Sequence, residues 1–245
     1  TYSQLDTGYV LTKTHCGSRC FLCQPKEYIE TAHTFLNRCL SGERRDKDKV
    51  MSKTRYDKSL VKKAVHLIRD PFDNVVSRYH LELGVLEKKD PKEFKKYSKD
   101  REGFRKFCSK WDAEFAGKEQ RNFNIDDKLL AYIKDVPCHS DFFRYVQWHN
   151  LASTATRNLQ IPTLRLHYES YEDNLEGNLN KLLTFLELEK IGETAAFIPG
   201  KRYRNYYTSD EVKALSKMLK ELAYINMWPL LEHYFDEDII SEAGR

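Results

Sequence analysis

The stretch AVHLIRDPFDNVVSRYHLE, Ala64 to Glu82, carries the two elements around which the rest of the chain can be arranged. AVHLI is short, branched and apolar, and predicts a buried strand over Ala64–Ile68. Asp70 is placed to cap a helix, Pro71 suits its first position, and Asp73 adds a carboxylate to its first turn. Arg69 therefore stands between a strand end and a helix start. Ser77 follows eight residues later, about two turns into the helix. A guanidinium presents a planar fork of donors that matches phosphate oxygens, and it stays charged at any working pH. The helix start adds positive potential, and the Ser77 hydroxyl can donate to the same anion. The plainer alternative pairs Arg69 with a surface carboxylate and leaves Ser77 as a helix-face serine.

Working outward, YVLTKT (Tyr9–Thr14) reads as a strand entering a loop, and Tyr28 to Leu40 as a helix after Pro25. Ser41–Ser59 reads as a mixed-charge loop. Downstream, a charged segment from Glu87 to Lys106 merges into a helix carrying Phe104, Phe107, Cys108, Trp111 and Phe115. Asp126–Lys134 reads as a short helix, and a longer one capped by Ser140 ends near Leu159. Ile161–Ser170 supplies a third strand, followed by a helix at Asn174–Leu188. A last helix starts at Thr208, whose spacing to Glu211 is that of a capping box. Trp111, Trp148, Phe142 and Phe143 are assigned to the core. Strands separated by helices predict parallel pairing with helices on both faces, and ligands beyond the carboxyl ends of the strands. Lys13–His15, Arg69 and Tyr168 all lie at such ends, so three strand ends are expected to converge on one edge.

Lys13 and His15 are two residues apart, so in extended backbone they share a side. A neutral imidazole can take a proton from an attacking hydroxyl, and an ammonium can stabilise charge on a leaving oxygen.

The chain has 245 residues, room for one large α/β domain or two small ones. A net charge of +4 is too small an excess to imply nucleic acid. The basic runs Arg44–Lys63 and Lys88–Lys106 interleave acids almost one for one, which favours solvated faces over a phosphate track. No window approaches the length of a membrane span. The 6 cysteines permit disulfides and favour a secretory-pathway lumen such as the Golgi, with the cytoplasm as the alternative. His15, Cys16, Cys20, Cys23 and His33 also lie close in sequence. A zinc site built from them would want a second cysteine pair at the Cys20–Cys23 spacing, which the sequence lacks.

Taken together, these pieces resemble the sulfotransferases that use 3′-phosphoadenosine 5′-phosphosulfate (PAPS). RDPFDNVVSRY, from Arg69 through Ser77 to Tyr79, is similar to that family's 3′-phosphate element. Lys13-Thr14-His15 looks like its Lys-Thr/Ser-His segment, and Tyr168-Glu169 like its tyrosine near the adenine. PGKRYRNYYTSDEV looks like the basic loop and capped helix that close over the phosphate, offering Lys201, Arg202 and Arg204. The resemblance implies a three-layer α/β fold of the P-loop NTPase-like kind, a parallel sheet flanked by helices, as a single domain over 1–245. It implies PAPS as co-substrate without a metal, His15 as base and Lys13 as its helper. Arg69, Ser77, Tyr168, Lys201, Arg202 and Arg204 would bind the co-substrate. The partner would be a hydroxyl-bearing acceptor, a carbohydrate among the candidates, and no nucleic acid is implied.

The family's 5′-phosphosulfate loop normally precedes the Lys-x-His segment. The twelve residues before Lys13 contain one glycine, Gly8, and no such loop. The expectation is either that an N-terminal portion precedes this sequence or that the chain is a catalytically incomplete nucleotide- or polyanion-binding module. A nucleotide kinase would need Gly-x-x-x-x-Gly-Lys-Ser/Thr, which the chain does not contain.

Overall fold

The computed structural model describes residues 3–4, 10–16, 31–45, 51–116 and 126–236. The chain divides into two compact units. One comprises Thr1–Cys20, Glu30–Ile68 and Leu151–Pro199; the other comprises Phe21–Ile29, Arg69–Asn150 and Gly200–Arg245.

The first unit holds the strands. β1 (Ser3–Gln4) pairs antiparallel with β2 (Val10–Leu11), and β3 (Ser41–Arg45) pairs antiparallel with β4 (Met51–Arg55). Between them lies α1 (Ala32–Cys39), opened by a reciprocal capping box between Thr31 and Thr34. The Cys16–Cys39 disulfide ties the segment after β2 to the end of α1. β5 (Ala64–Ile68) and β6 (Thr163–His167) then pair in parallel, in register from Ala64↔Thr163 to Ile68↔His167. His66, Ile68 and Leu166 are buried, whereas Val65 and Leu67 are 41% and 48% exposed. After β6 come α7 (Ser170–Asp173) and α8 (Leu175–Leu186), the latter capped by Asn174.

Three expectations are corrected here. Of the strand read at Tyr9–Thr14, Val10–Leu11 is strand and 12–14 is not, Tyr9 lies outside the described residues, and the ladder is antiparallel with β1. Among the described residues the parallel sheet has two strands, so three parallel strand ends on one edge do not form. A nearby strand satisfies ladder hydrogen bonds at low loop-closure cost, and that local solution competes with a distant parallel one. The mixed-charge segment Ser41–Ser59 contains a hairpin rather than a plain loop. Its strands alternate no apolar face, so the pattern that marks strands was missing.

The second unit is helical: α2 (Pro71–Lys89), α3 (Pro91–Phe94), α4 (Arg101–Phe115), α5 (Asp127–Ile133), the start of α6 (His139–Asn158), and α9 (Ser209–Leu222). Its core is aromatic. Phe72 is fully buried and meets Phe142, Tyr207 and Phe235 edge-on, with ring centroids 5.4, 5.2 and 5.5 Å away. Tyr79 is also buried, and its hydroxyl donates to the Ser98 carbonyl. Gly103 allows that approach, since a β-carbon there would collide with the Ser98 backbone and the Tyr79 hydroxyl.

The start of α6 is held differently from the expectation. Ser140 lies inside the first turn, and the cap comes from Asp112 on α4. Its carboxylate accepts from the Cys138 N–H at 2.7 Å and from the Ser140 N–H at 3.3 Å and hydroxyl at 3.1 Å. His139 Nδ1 lies 3.4 Å from the same group. The Cys108–Cys138 disulfide fastens the two helices one turn of α4 away. A carboxylate from another helix can satisfy a helix start as well as a local hydroxyl does, and sequence spacing cannot reveal it.

Candidate functional site

In the helical unit the site begins where expected. Asp70 caps α2, its Oδ1 accepting from the Phe72 N–H at 2.7 Å and the Asp73 N–H at 3.1 Å. Those amides are thereby engaged. An anion at this helix start would be met by side chains and by the helix field, not by these N–H groups. Arg69, immediately before the cap, is half-buried, and its carbonyl accepts from the Tyr145 hydroxyl at 2.7 Å. Ser77 is half-buried two turns along, and its hydroxyl has no hydrogen-bond partner among the described residues.

The basic loop, 200–207, is fastened to this same helix. The buried Asp73 accepts from the Tyr203 N–H at 2.7 Å through Oδ1, and its Oδ2 lies 3.6 Å from a guanidinium nitrogen of Arg202. The Tyr203 ring lies against His80, 5.1 Å between centroids, and the Tyr206 hydroxyl is 3.5 Å from His80 Nε2. Burial raises the Tyr203 phenol above its ordinary pKa, and the Arg69 charge opposes that rise. Burial, aided by the charges of Lys201 and Lys99, lowers the His80 pKa. Beyond the loop, Thr208 and Glu211 form the expected capping box, and Glu211 also takes both oxygens to Arg105, at 2.7 and 2.8 Å.

The three loop cations are not alike. Lys201 and Arg202 are exposed. Arg204 is turned inward: its guanidinium lies 3.9 Å above the Phe72 ring and donates to the Tyr234 carbonyl at 2.9 Å. Its Nε and second terminal nitrogen are buried without a hydrogen-bond partner, and burial lowers its pKa. The sequence grouped Arg204 with the phosphate-facing cations; the structure puts it between the loop and the aromatic core.

The other candidates belong to the first unit. Lys13 and His15 are both exposed on the segment after β2. That segment is shaped by the Cys16 N–H donating to Thr14 Oγ1 at 3.1 Å and by the left-handed backbone of Cys16 (φ 48°), next to its disulfide. Cys16 is thus a bonded sulfur and not a thiolate ligand, while Cys20 and Cys23 lie outside the described residues. Tyr168 follows β6, its N–H donating to the Ile68 carbonyl at 2.7 Å. Its ring meets Phe197 edge-on at 5.2 Å, and Phe197 stacks on Tyr171 at 5.9 Å.

Sequence reasoning missed Asp73 as the loop's anchor, Tyr145 as the support of Arg69, His80 beneath Tyr203, and Phe197 beside Tyr168. Asp73 was read correctly as a first-turn carboxylate, but its partner is 130 residues away. No local pattern marks such a pairing.

A half-buried arginine at a strand–helix junction and a basic loop fixed to the same helix are an arrangement whose side chains can meet an anion. Comparison by family carries this further: a sulfotransferase domain matches residues 49–238. The chain belongs to the sulfotransferase family, which generally uses PAPS as co-substrate. No curated protein and no solved structure matches it.

Proposed function

We propose that the protein transfers a sulfuryl group from PAPS to an acceptor hydroxyl, a carbohydrate among the candidate acceptors. The observation that carries this reading is the cation set around the first two turns of α2. Arg69 precedes its cap, Ser77 lies along it, and Asp73 holds the loop bearing Lys201 and Arg202. This donor set suits a dianionic phosphate. It offers permanent cations and an unengaged hydroxyl, while the nearby helix amides are engaged by Asp70.

In this reading Arg69, Ser77, Lys201 and Arg202 hold the 3′-phosphate, and Arg204 braces the loop from below. Tyr168, with Phe197 and Tyr171, offers aromatic faces to an adenine ring. PAPS, when bound, supplies the sulfuryl group and its 5′-phosphate leaving group. His15 takes the proton of the acceptor hydroxyl as that oxygen bonds to sulfur, and the Lys13 ammonium steadies the negative phosphate oxygen released when the bond from sulfur to the bridging oxygen breaks. Neither residue needs a metal for these roles. The Cys16–Cys39 and Cys108–Cys138 disulfides support a secretory-pathway lumen, such as the Golgi, as the working compartment.

The test compares 3′,5′-bisphosphoadenosine with 5′-AMP by thermal shift and calorimetry. The bisphosphate should stabilise the protein and AMP should not; equal responses would remove the phosphate assignment. Arg69→Ala should weaken bisphosphate binding by about 2 kcal/mol. His15→Ala should leave that affinity in place and lower the rate by roughly 10²–10⁴-fold. If the bisphosphate binds but sulfuryl transfer is undetectable with every acceptor tried, the protein is a nucleotide-binding module instead.

A further inference from the structure

Asp73 does more than begin a helix. Its carboxylate is 3% exposed, and its two oxygens go to different parts of one loop. Oδ1 takes the Tyr203 main-chain N–H at 2.7 Å, a fixed contact that any acceptor of the same shape could make. Oδ2 lies 3.6 Å from the guanidinium of Arg202, which is 55% exposed. The first contact depends on geometry and the second on charge.

From this division we infer that Asp73 is a positioning residue with two separable functions, resting on the phosphate reading above. Through Oδ1 it latches the basic loop to α2. Through Oδ2 it restrains Arg202 in the absence of nucleotide, so that an incoming phosphate dianion must take the guanidinium from a carboxylate. The long, partly exposed ion pair is weak, so the exchange needs little reorganisation. The phosphate offers more charge and a matching pair of oxygens, whereas a monoanionic ligand has less with which to displace Asp73. The restraint therefore lowers by a common factor the affinity of any anion that has to free Arg202, and leaves untouched a ligand that does not reach it. Tyr203 reports the latch, since its ring lies on His80 and its amide on Asp73.

Asp73→Asn keeps an acceptor for the Tyr203 amide and removes the charge; Asp73→Ala removes both. In hydrogen exchange without nucleotide, the Tyr203 amide should stay protected in Asp73→Asn and exchange at least tenfold faster in Asp73→Ala. Equal exchange in the two variants overturns the latch. By calorimetry, Asp73→Asn should bind 3′,5′-bisphosphoadenosine threefold or more tightly than the wild type, and its preference over 5′-AMP, which brings no 3′-phosphate to Arg202, should widen. In an Arg202→Gln background the same change should give no gain, because the restrained group is gone. An unchanged affinity, or an equal gain in both backgrounds, overturns the restraint. Arg202 is exposed, so its variant should fold, and the cycle does not depend on Asp73→Ala folding. A wild-type chain that fails to distinguish the two nucleotides overturns the phosphate reading and the restraint with it, whereas the exchange measurement judges the latch independently.

Discussion

The two units differ in how they hold the candidate residues that each contains. In the helical unit the cations sit on a packed aromatic base: Arg69 beside a capped helix, and the loop of Lys201 and Arg202 fixed above Phe72, Tyr207 and Phe142. In the strand unit the candidate catalytic pair, Lys13 and His15, is exposed on a short segment held by a disulfide, and half of β5 faces solvent. Phosphate binding gains from donors fixed in place before the ligand arrives. A base that must meet an acceptor has to be reachable. Under the proposed function, the contrast sets a packed support for phosphate binding against an accessible segment for the base.

The largest expected effect tests the packed side. Phe72→Ala removes a fully buried ring that meets three others and supports Arg204, and should cost about 4 kcal/mol by denaturant unfolding. A loss under 1 kcal/mol would mean the aromatic base is not what holds the loop.

Next come the disulfides. Opening Cys108–Cys138, which closes a loop of 30 residues, by replacing both cysteines with serine should cost about 3–4 kcal/mol. Replacing Cys16 and Cys39, 23 residues apart, should cost a similar amount and lower turnover as well, because that bridge shapes the segment carrying His15. Equal losses of stability with unchanged turnover would erase the distinction between the units.

A comparison by pH separates them by sign. Burial lowers the His66 imidazole in the strand unit to about 4 from 6.5. The unfolded chain takes up that proton first, so this contribution is whole above pH 6.5 and is lost as pH falls through 4. Burial raises the Asp112 carboxyl in the helical unit to about 6 from 3.8, against the pull of His139. There the folded state keeps its proton longer, so that contribution is whole below 3.8 and is lost as pH rises through 6. Each amounts to about 3 kcal/mol at most. Unfolding midpoints between pH 4 and 6.5 should fall less steeply with acid in His66→Gln and more steeply in Asp112→Asn. Slopes that change in the same direction would refute the opposition.

The smallest effect concerns the exposed side of the strand unit. Leu67→Ala should change stability by less than about 0.5 kcal/mol, since the residue is 48% exposed. A loss above 2 kcal/mol would show that this face is covered in solution.

Legibility followed the range of the interactions. The strand at Ala64–Ile68, the Asp70 cap, the helices at 101–115 and 127–133 and the Thr208–Glu211 capping box could all be read from neighbours a few residues apart. Ser140 misled because a hydroxyl near a helix start resembles a cap, while Asp112 performs that function from another helix. The inward turn of Arg204 left no local pattern, because charge marks a residue for solvent unless something specific draws it in, here the Phe72 ring and the Tyr234 carbonyl. The hairpin at 41–45 and 51–55 was hidden because its pairing lies in the backbone and its side chains carry no apolar alternation.

By itself the sequence determined the chemistry on offer: an arginine at a strand end, a serine two turns beyond, a basic loop, a Lys-x-His segment, and the order that resembles sulfotransferases. Tertiary structure alone decided which partners those groups take. It set Asp73 against Tyr203 and Arg202, Asp112 against the start of α6, Cys16 with Cys39, and Arg204 beneath the loop. The physical reason is that propensities and caps are short-range and leave a local pattern, whereas these pairings are chosen by which distant segments the core brings within a few ångströms of one another.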